Sequence, residues 1–317
     1  MWGWSAALRG AILAVPAVLV ATRDVQLAAV LAIGVIPAAC VPLPATRRAR
    51  LRPAVLGALA AASLFVGSVL AESPPLAVVG IFVFAVVASR AAVGRPLGAV
   101  ALSLCLPLVG VGLSLSSIAV GATLAAVVLG GSVYAFLVSQ LWPSRPSSGT
   151  PASLASPGAA SLRSFGYRAG LAGAICAGTG FALGLEHVGW ATGAALLVMR
   201  PAPAVQQARS VGRIVDVVLG AALSIGLVTS GAPAGVVAAA LGIAVICATA
   251  TAGSRWYVVP AFTTFIVFVL LLSHAPDQAQ ERFWERVLET GFGIAVAALV
   301  GYWTLPRVRR PSSRRAG

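Results

Sequence analysis

Pro42-Leu43-Pro44-Ala45 closes one long apolar stretch of this chain, and Pro201-Ala202-Pro203-Ala204 closes another 159 positions later. Arg9 and Arg168, the same distance apart, open the first apolar run of each copy. Farther along, Arg50 with Leu56-Gly57-Ala58 recurs as Arg213 with Leu219-Gly220-Ala221, now 163 apart, and Trp142-Pro143 and Leu305-Pro306 end the copies at that offset. The four-residue shift is assigned to the basic loop between these anchors, where an insertion is cheap. The chain therefore reads as two copies of one apolar unit. Residues 1–143 form a first membrane repeat and 144–167 a flexible cytoplasmic linker rich in Pro, Ser and Gly. Residues 168–306 form the second repeat, and 307–317 a basic cytoplasmic tail with no apolar pattern.

Composition fixes the class. The chain of 317 residues is 59% hydrophobic and 9% charged, with a mean hydropathy of +0.96. Long, repeated, non-alternating apolar runs in such a chain are membrane-spanning helices rather than barrel strands, because lipid leaves backbone polar groups no partner outside the segment. All 22 basic residues are Arg, and the net charge is +14. No nucleic-acid motif accompanies that charge, so it reads as the positive charge that cytoplasmic loops collect. Cys40, Cys105, Cys176 and Cys247 sit singly inside apolar runs and read as small core residues.

Twelve spans are expected, six per copy. They cover 10–22, 25–43, 53–71, 75–89, 96–113 and 117–142, then 169–185, 188–201, 214–231, 233–251, 255–274 and 287–305. With both termini cytoplasmic, 19 of the 22 arginines fall inside, leaving Arg23, Arg282 and Arg286 outside; seven of the eight acids fall outside. The positive-inside rule selects that orientation. An even number of spans makes the repeats parallel, related by an axis along the membrane normal. The expected fold is an all-α polytopic membrane protein of about twelve transmembrane helices in two parallel six-helix repeats.

The chain shows no nucleophile–base constellation and no GxxxxGK[ST] phosphate loop, and no metal-ligand spacing surrounds His187 or His274, so no enzyme, metal or cofactor is expected. Ionisable residues near the membrane remain. Arg200 ends an apolar run, where insertion of an arginine costs about 2.5–3.5 kcal/mol unless it faces a cavity, a partner or the headgroups. With Arg209 and Arg213 it makes a basic cluster at the cytoplasmic mouth, able to concentrate an anion. Asp216 is the one acid on the inner side, three residues after Arg213; it is a candidate proton-coupling carboxylate or a first-turn structural acid. Pro42, Pro44, Pro201 and Pro203 mark the ends of the second helix of each copy, where carbonyls are left without helical partners. By the second offset Asp216 corresponds to Pro53, and by the first Arg200 corresponds to Val41, which places the asymmetric chemistry in the second copy. Asp277–Glu289, with acids and arginines at helical spacing, reads as an exposed amphipathic extension. Trp190, Trp256, Trp284 and Trp303 read as an interfacial aromatic belt.

The run Trp190-Ala191-Thr192-Gly193-Ala194-Ala195-Leu196-Leu197-Val198-Met199-Arg200-Pro201, then Arg209 and Arg213 with Gly220-Ala221, resembles the fusaric-acid-resistance-type (FUSC) integral membrane family, which includes the aromatic acid exporters. Tyr257–Phe268, followed by Glu285-Arg286-Val287-Leu288-Glu289-Thr290-Gly291-Phe292-Gly293, resembles its second signature region. The resemblance is good over 188–305 and weaker over 9–143. It implies a bacterial inner-membrane exporter of small, often aromatic, organic anions driven by the proton gradient. The partners implied are that anion and membrane lipid, without nucleic acid; a homo-oligomer is compatible with the chain. The linker and tail are too short for the large cytoplasmic domains that many exporters of that family carry. A passive organic-anion channel, and a non-transport scaffold or envelope-synthesis accessory, are the competing functions.

Overall fold

The computed structural model describes residues 2–41, 43–95, 97–143, 158–252, 258–273 and 275–303. Pro42, Trp256, His274, linker residues 144–157 and the 307–317 tail lie outside the described residues, as do the side chains of Pro203 and Trp303. Twelve α-helices run through the described residues, which contain no strand. They are α1 (Trp4–Ala21), α2 (Val25–Ala39), α3 (Leu51–Leu70), α4 (Pro74–Ala92), α5 (Gly98–Gly112), α6 (Ile118–Leu141), α7 (Ala159–Ala182), α8 (Val188–Val198), α9 (Pro203–Thr229), α10 (Ala234–Ala250), α11 (Val258–Leu272) and α12 (Ala279–Trp303).

Each expected span has its helix, but four helices begin six or more residues earlier than expected. They are α1, α7, α9 and α12, and each carries arginine in its early turns. Charge was read as the boundary of the helix, whereas arginine is a good helix former whose long stem lies along apolar surface. The charge marks an environment, not a helix end. Five helices (α1, α3 with its preceding turn, α4, α6 and α9) are long and apolar enough to cross a membrane. At 11 residues α8 is about 16 Å long, roughly half of the ~30 Å hydrocarbon thickness.

The two halves interlock. α1 packs along α10, and α7 packs along α4. Within the halves the neighbours also repeat: α3 lies on α5 and α6, α9 on α11 and α12; α2 lies on α6, α8 on α12. Between them, α5 touches α8 and α11 touches α2. One large apolar core joins α7, α8 and α12 to α4 and α5; the other joins α1, α2 and α6 to α10 and α11. Neither core is made by one half alone, so each half needs the other to bury its apolar surface.

The recurring arginines close helix ends. Arg9 Nη2 donates to the Ala39 carbonyl at 2.9 Å, at the end of α2. Arg168 Nη2 donates to the Pro201 carbonyl at 3.4 Å, just past the end of α8. Arg50 lies in a 3₁₀ turn (Arg48–Arg50) and donates to Ser139 and, at 2.7 Å, to Trp142 at the end of α6. Carbonyls left at helix C-termini are thus answered by buried guanidinium donors. Pro44 and Pro201 lie in the connections that follow α2 and α8, Pro201 beyond the helix end expected for it, but Pro203 is the first residue of α9. Its fixed φ suits a helix start, so the second proline of that pair begins the next helix instead of ending the last.

The spacing of the helix ends also differs from the sequence reading. Leu70 and Thr229, which end α3 and α9, are 159 apart, so the four-residue shift does not fall before these helices. Counting from those ends sets Gly57, not Pro53, opposite Asp216. A Cβ on Gly57 would strike Ser132 of α6, whereas one on Gly220 would meet Ala261 and Thr264 of α11. The two glycines face different neighbours, and Arg50 and Arg213 do different work.

Candidate functional site

The early start of α9 moves Asp216 to its middle residue, 13 positions from either end. Glu289 lies two residues from the middle of α12. The two helices run antiparallel: near the start of α9, Gln206 Nε2 donates to the Ala297 carbonyl of α12 at 2.8 Å. That register brings residues 213–216 level with residues 286–290.

Four charged side chains meet there. Arg213 Nη1 donates to Asp216 Oδ1 at 2.8 Å and lies 3.5 Å from Thr264 Oγ1 on α11. The side chains of Arg213 and Asp216 are 8% and 1% exposed. Arg286 stands within electrostatic reach of both, with its Cζ 4.6 Å from the ring centroid of Trp190 on α8. Glu289, three residues on, lies against the backbone of Ala191. Arg286 and Glu289 are both buried. Two guanidiniums and two carboxylates make a cluster with no net formal charge, which is the form in which a low-dielectric interior tolerates ions. The cluster is not fully satisfied. Asp216 Oδ2 is buried with no hydrogen-bond partner among the described residues.

Residues 172–300 match the family model described as fusaric acid resistance protein-like, FUSC_2. The likeness read from Trp190–Pro201 and Glu285–Gly293 is borne out. No curated protein and no solved structure matches the chain. The FUSC-like segment contains all four charges together with Trp190, Ala191 and Thr264, so the cluster is supplied wholly by α8, α9, α11 and α12.

Two glycines let the FUSC-like helices close around the charges. Gly220 stands one turn after Asp216, and Gly293 one turn after Glu289. A Cβ on Gly220 would lie 2.5 Å from the Ala261 carbonyl of α11, and one on Gly293 would strike the Ala191 carbonyl of α8. Small residues at such positions let helix backbones approach in lipid. Gly220→Val and Gly293→Val should each lower stability by about 1–3 kcal/mol through overpacking. Gly226→Val and Gly291→Val, where a Cβ meets nothing within 4 Å, should leave it unchanged. Thermal unfolding of the four purified proteins in one detergent checks this; equal losses at all four positions would refute the close-packing role.

The amphipathic extension before the last span is not the exposed face read from sequence. Asp277 and Glu281 are exposed, but Arg282 binds Glu186 through both terminal nitrogens, at 2.7 and 3.0 Å, and Glu285 at 2.9 Å. His187 Nδ1 lies 2.9 Å from Glu285 Oε1. The Arg282 guanidinium holds the Glu186 carboxyl below its ordinary range. Glu186, His187 and Glu285 each offer a ligand atom within 4.8 Å of one another, but Arg282 already supplies their positive charge. This latch ties the α7–α8 connection to the start of α12. Below it, the His187 ring stacks on Trp190 at 4.1 Å, and Trp190 stacks on Phe268 of α11 at 6.2 Å. Trp190 is therefore a buried spacer between the latch and the charge cluster, not a belt residue, while Trp284 is exposed.

The three arginines of the expected basic cluster occupy different levels. Arg200 is buried at the end of α8; its Nη1 donates to the Met199 carbonyl at 2.6 Å and its backbone N–H reaches Gln206 Oε1 at 3.5 Å. Arg200 Nη2 is buried without a partner among the described residues. Arg209 is half-buried on α9. Arg213 lies seven residues beyond Gln206, about 10 Å farther along the helix, and is engaged by Asp216. Sequence reasoning found the Arg213–Asp216 pair but missed Arg286, Glu289 and Thr264. Arg286 and Glu289 are one turn apart and run straight into an uncharged apolar stretch, and that was the available signal.

Proposed function

We propose that this protein is an inner-membrane secondary transporter that exports small organic anions, aromatic acids among them, at the expense of the proton gradient. Membrane helices and a FUSC-like segment make it a multi-pass membrane protein of a transport or resistance type. The repeated pattern of helix neighbours supports two parallel six-helix repeats, and the distribution of the arginines supports both termini cytoplasmic. The observation that carries the transport reading is the charge cluster at the middle of α9 and α12. An architectural scaffold gains nothing from four buried ions, since apolar side chains of similar volume would serve at least as well. Ionisable groups kept at that depth, facing the bundle interior, are the usual mark of a substrate or proton path.

In this scheme Arg200 and Arg209 receive the anion from the cytoplasmic side, and Arg213 is the guanidinium it reaches at mid-depth. Asp216 competes for that same guanidinium. Protonation of Asp216 removes the counter-charge of Arg213, so proton occupancy and anion occupancy at this pair are linked. Arg286 and Glu289 continue the polar path toward the outer latch.

Arg200→Ala should weaken apparent substrate affinity about tenfold, the effect of losing one charged hydrogen bond. Export measured across substrate concentrations in cells lacking the native protein checks this. Unchanged export by a variant that inserts at the normal level would remove Arg200 from the binding path. The substrate itself is found by screening such cells for accumulation of aromatic acids and common toxic anions.

A further inference from the structure

The groove between α1 and α6 belongs to no part of the transport path. Its walls are Gly3, Trp4, Ser5, Leu8 and Ile12 of the first helix and its lead-in, and Val138, Leu141, Trp142 and Pro143 at the far end of α6. It runs along about two and a half turns of α1 and has a volume of about 820 Å³. The wall is apolar except at one end. There Trp142 Nε1 donates to Ser5 Oγ at 3.2 Å, fixing one indole at the rim, and Trp4 stands beside it largely exposed. At the same end Gln140 Nε2 reaches the Arg47 carbonyl at 3.4 Å, which seats the α2–α3 connection against α6.

That connection carries Arg47 and Arg48, and the first turn of α3 adds Arg52, all exposed. None has a carboxylate partner among the described residues, and the acids of the first half are only Asp24 and Glu72, at the opposite helix ends. The chain therefore supplies no counter-charge where three guanidiniums gather. An apolar slot of acyl-chain dimensions, two indoles at its mouth and an unanswered basic loop beside that mouth together describe one ligand. We propose that the groove is a binding site for an anionic phospholipid, with an acyl chain between α1 and α6 and the headgroup phosphate at Arg47, Arg48 and Arg52. Indoles favour the headgroup level, and basic residues near it draw anionic lipid. The site requires the membrane but not the transport reading, so it stands or falls separately.

Brominated acyl chains quench tryptophan on contact, and this provides the test. Full-length protein is reconstituted in phosphatidylcholine vesicles containing one-tenth brominated phosphatidylglycerol or, in parallel, one-tenth brominated phosphatidylcholine. Brominated phosphatidylglycerol should quench more strongly, and the excess should vanish in the Trp4→Phe, Trp142→Phe double variant. Arg47→Gln with Arg48→Gln should lower the apparent affinity for phosphatidylglycerol on the order of fivefold per arginine. Filling the slot with Ile12→Trp, in a loop-intact protein, should abolish bound phosphatidylglycerol in native mass spectra. Equal quenching by the two lipids would overturn the proposal, as would an excess that survives the arginine substitutions. So would disulfide-linked dimers of a Ser5→Cys variant formed in the same vesicles, because a second copy would then occupy the groove.

Discussion

Asp216→Asn should abolish gradient-driven export, with accumulation rates falling by about two orders of magnitude, the scale on which removing a proton-transferring group acts. The carboxamide keeps the shape of the side chain and can still accept from Arg213, so the helix packing around Thr264 should survive. What it loses is the ability to exchange a proton. In the wild-type protein Asp216 Oδ1 is held by Arg213 while Oδ2 is buried with no hydrogen-bond partner among the described residues, leaving one oxygen ready to take a proton. Export by the Asn variant, at equal membrane levels and across external pH, is the measurement. A variant that transports at the wild-type rate with the same pH dependence would exclude Asp216 from coupling.

The second large effect separates structure from function at the same pair. Arg213→Leu alone strands a buried carboxylate and should cost about 3–5 kcal/mol, whereas Arg213→Leu with Asp216→Leu removes both charges and should return stability to near the wild-type value. The double variant should nonetheless be inactive. A double-mutant cycle on thermal or denaturant unfolding in detergent gives the coupling energy, and export by the double variant in cells gives the function. If the doubly substituted protein still exports, the pair is only structural. If the single Arg213→Leu change costs nothing, Arg213 does not hold the Asp216 carboxylate in the buried core.

Much of this molecule was legible in its sequence because membrane insertion constrains sequence strongly. Long apolar runs placed all twelve helices. Local pattern failed where charge was taken as the limit of a helix. Arg209 and Arg213 seemed to end a loop, which put Asp216 in a first turn; α9 instead begins at Pro203 and carries Asp216 to its middle. The same error left Arg286 and Glu289 on an exposed face, because spacing along one helix cannot show which neighbour covers it. Trp190, Thr264 and Arg286 converge from three helices separated by long stretches of chain, and no periodicity records such a meeting. The register of the expected repeat was drawn from an arginine, a Leu-Gly-Ala string and a proline pair, and Leu-Gly-Ala strings recur by composition alone in so small-residue a chain. The identity of Gly57 as the position opposite Asp216 needed the helix ends. The charge cluster was still half-announced, since Arg213–Asp216 was singled out by spacing and Glu285–Gly293 by resemblance.

The central claim is that the cluster couples anion export to protons. It is tested most directly in inside-out membrane vesicles with an acidified lumen, loaded externally with an anion identified by the accumulation screen. The lumen corresponds to the outer side of the cell, and a weak acid that merely diffuses would gather on the alkaline side instead. The predicted result is accumulation of the anion in the acidic lumen, collapsing on addition of a protonophore and absent with Asp216→Asn. Equilibration without concentration, unaffected by the pH gradient, would contradict coupling and leave a passive channel; no movement beyond vesicles lacking the protein, for any anion that the cells expel, would contradict transport altogether.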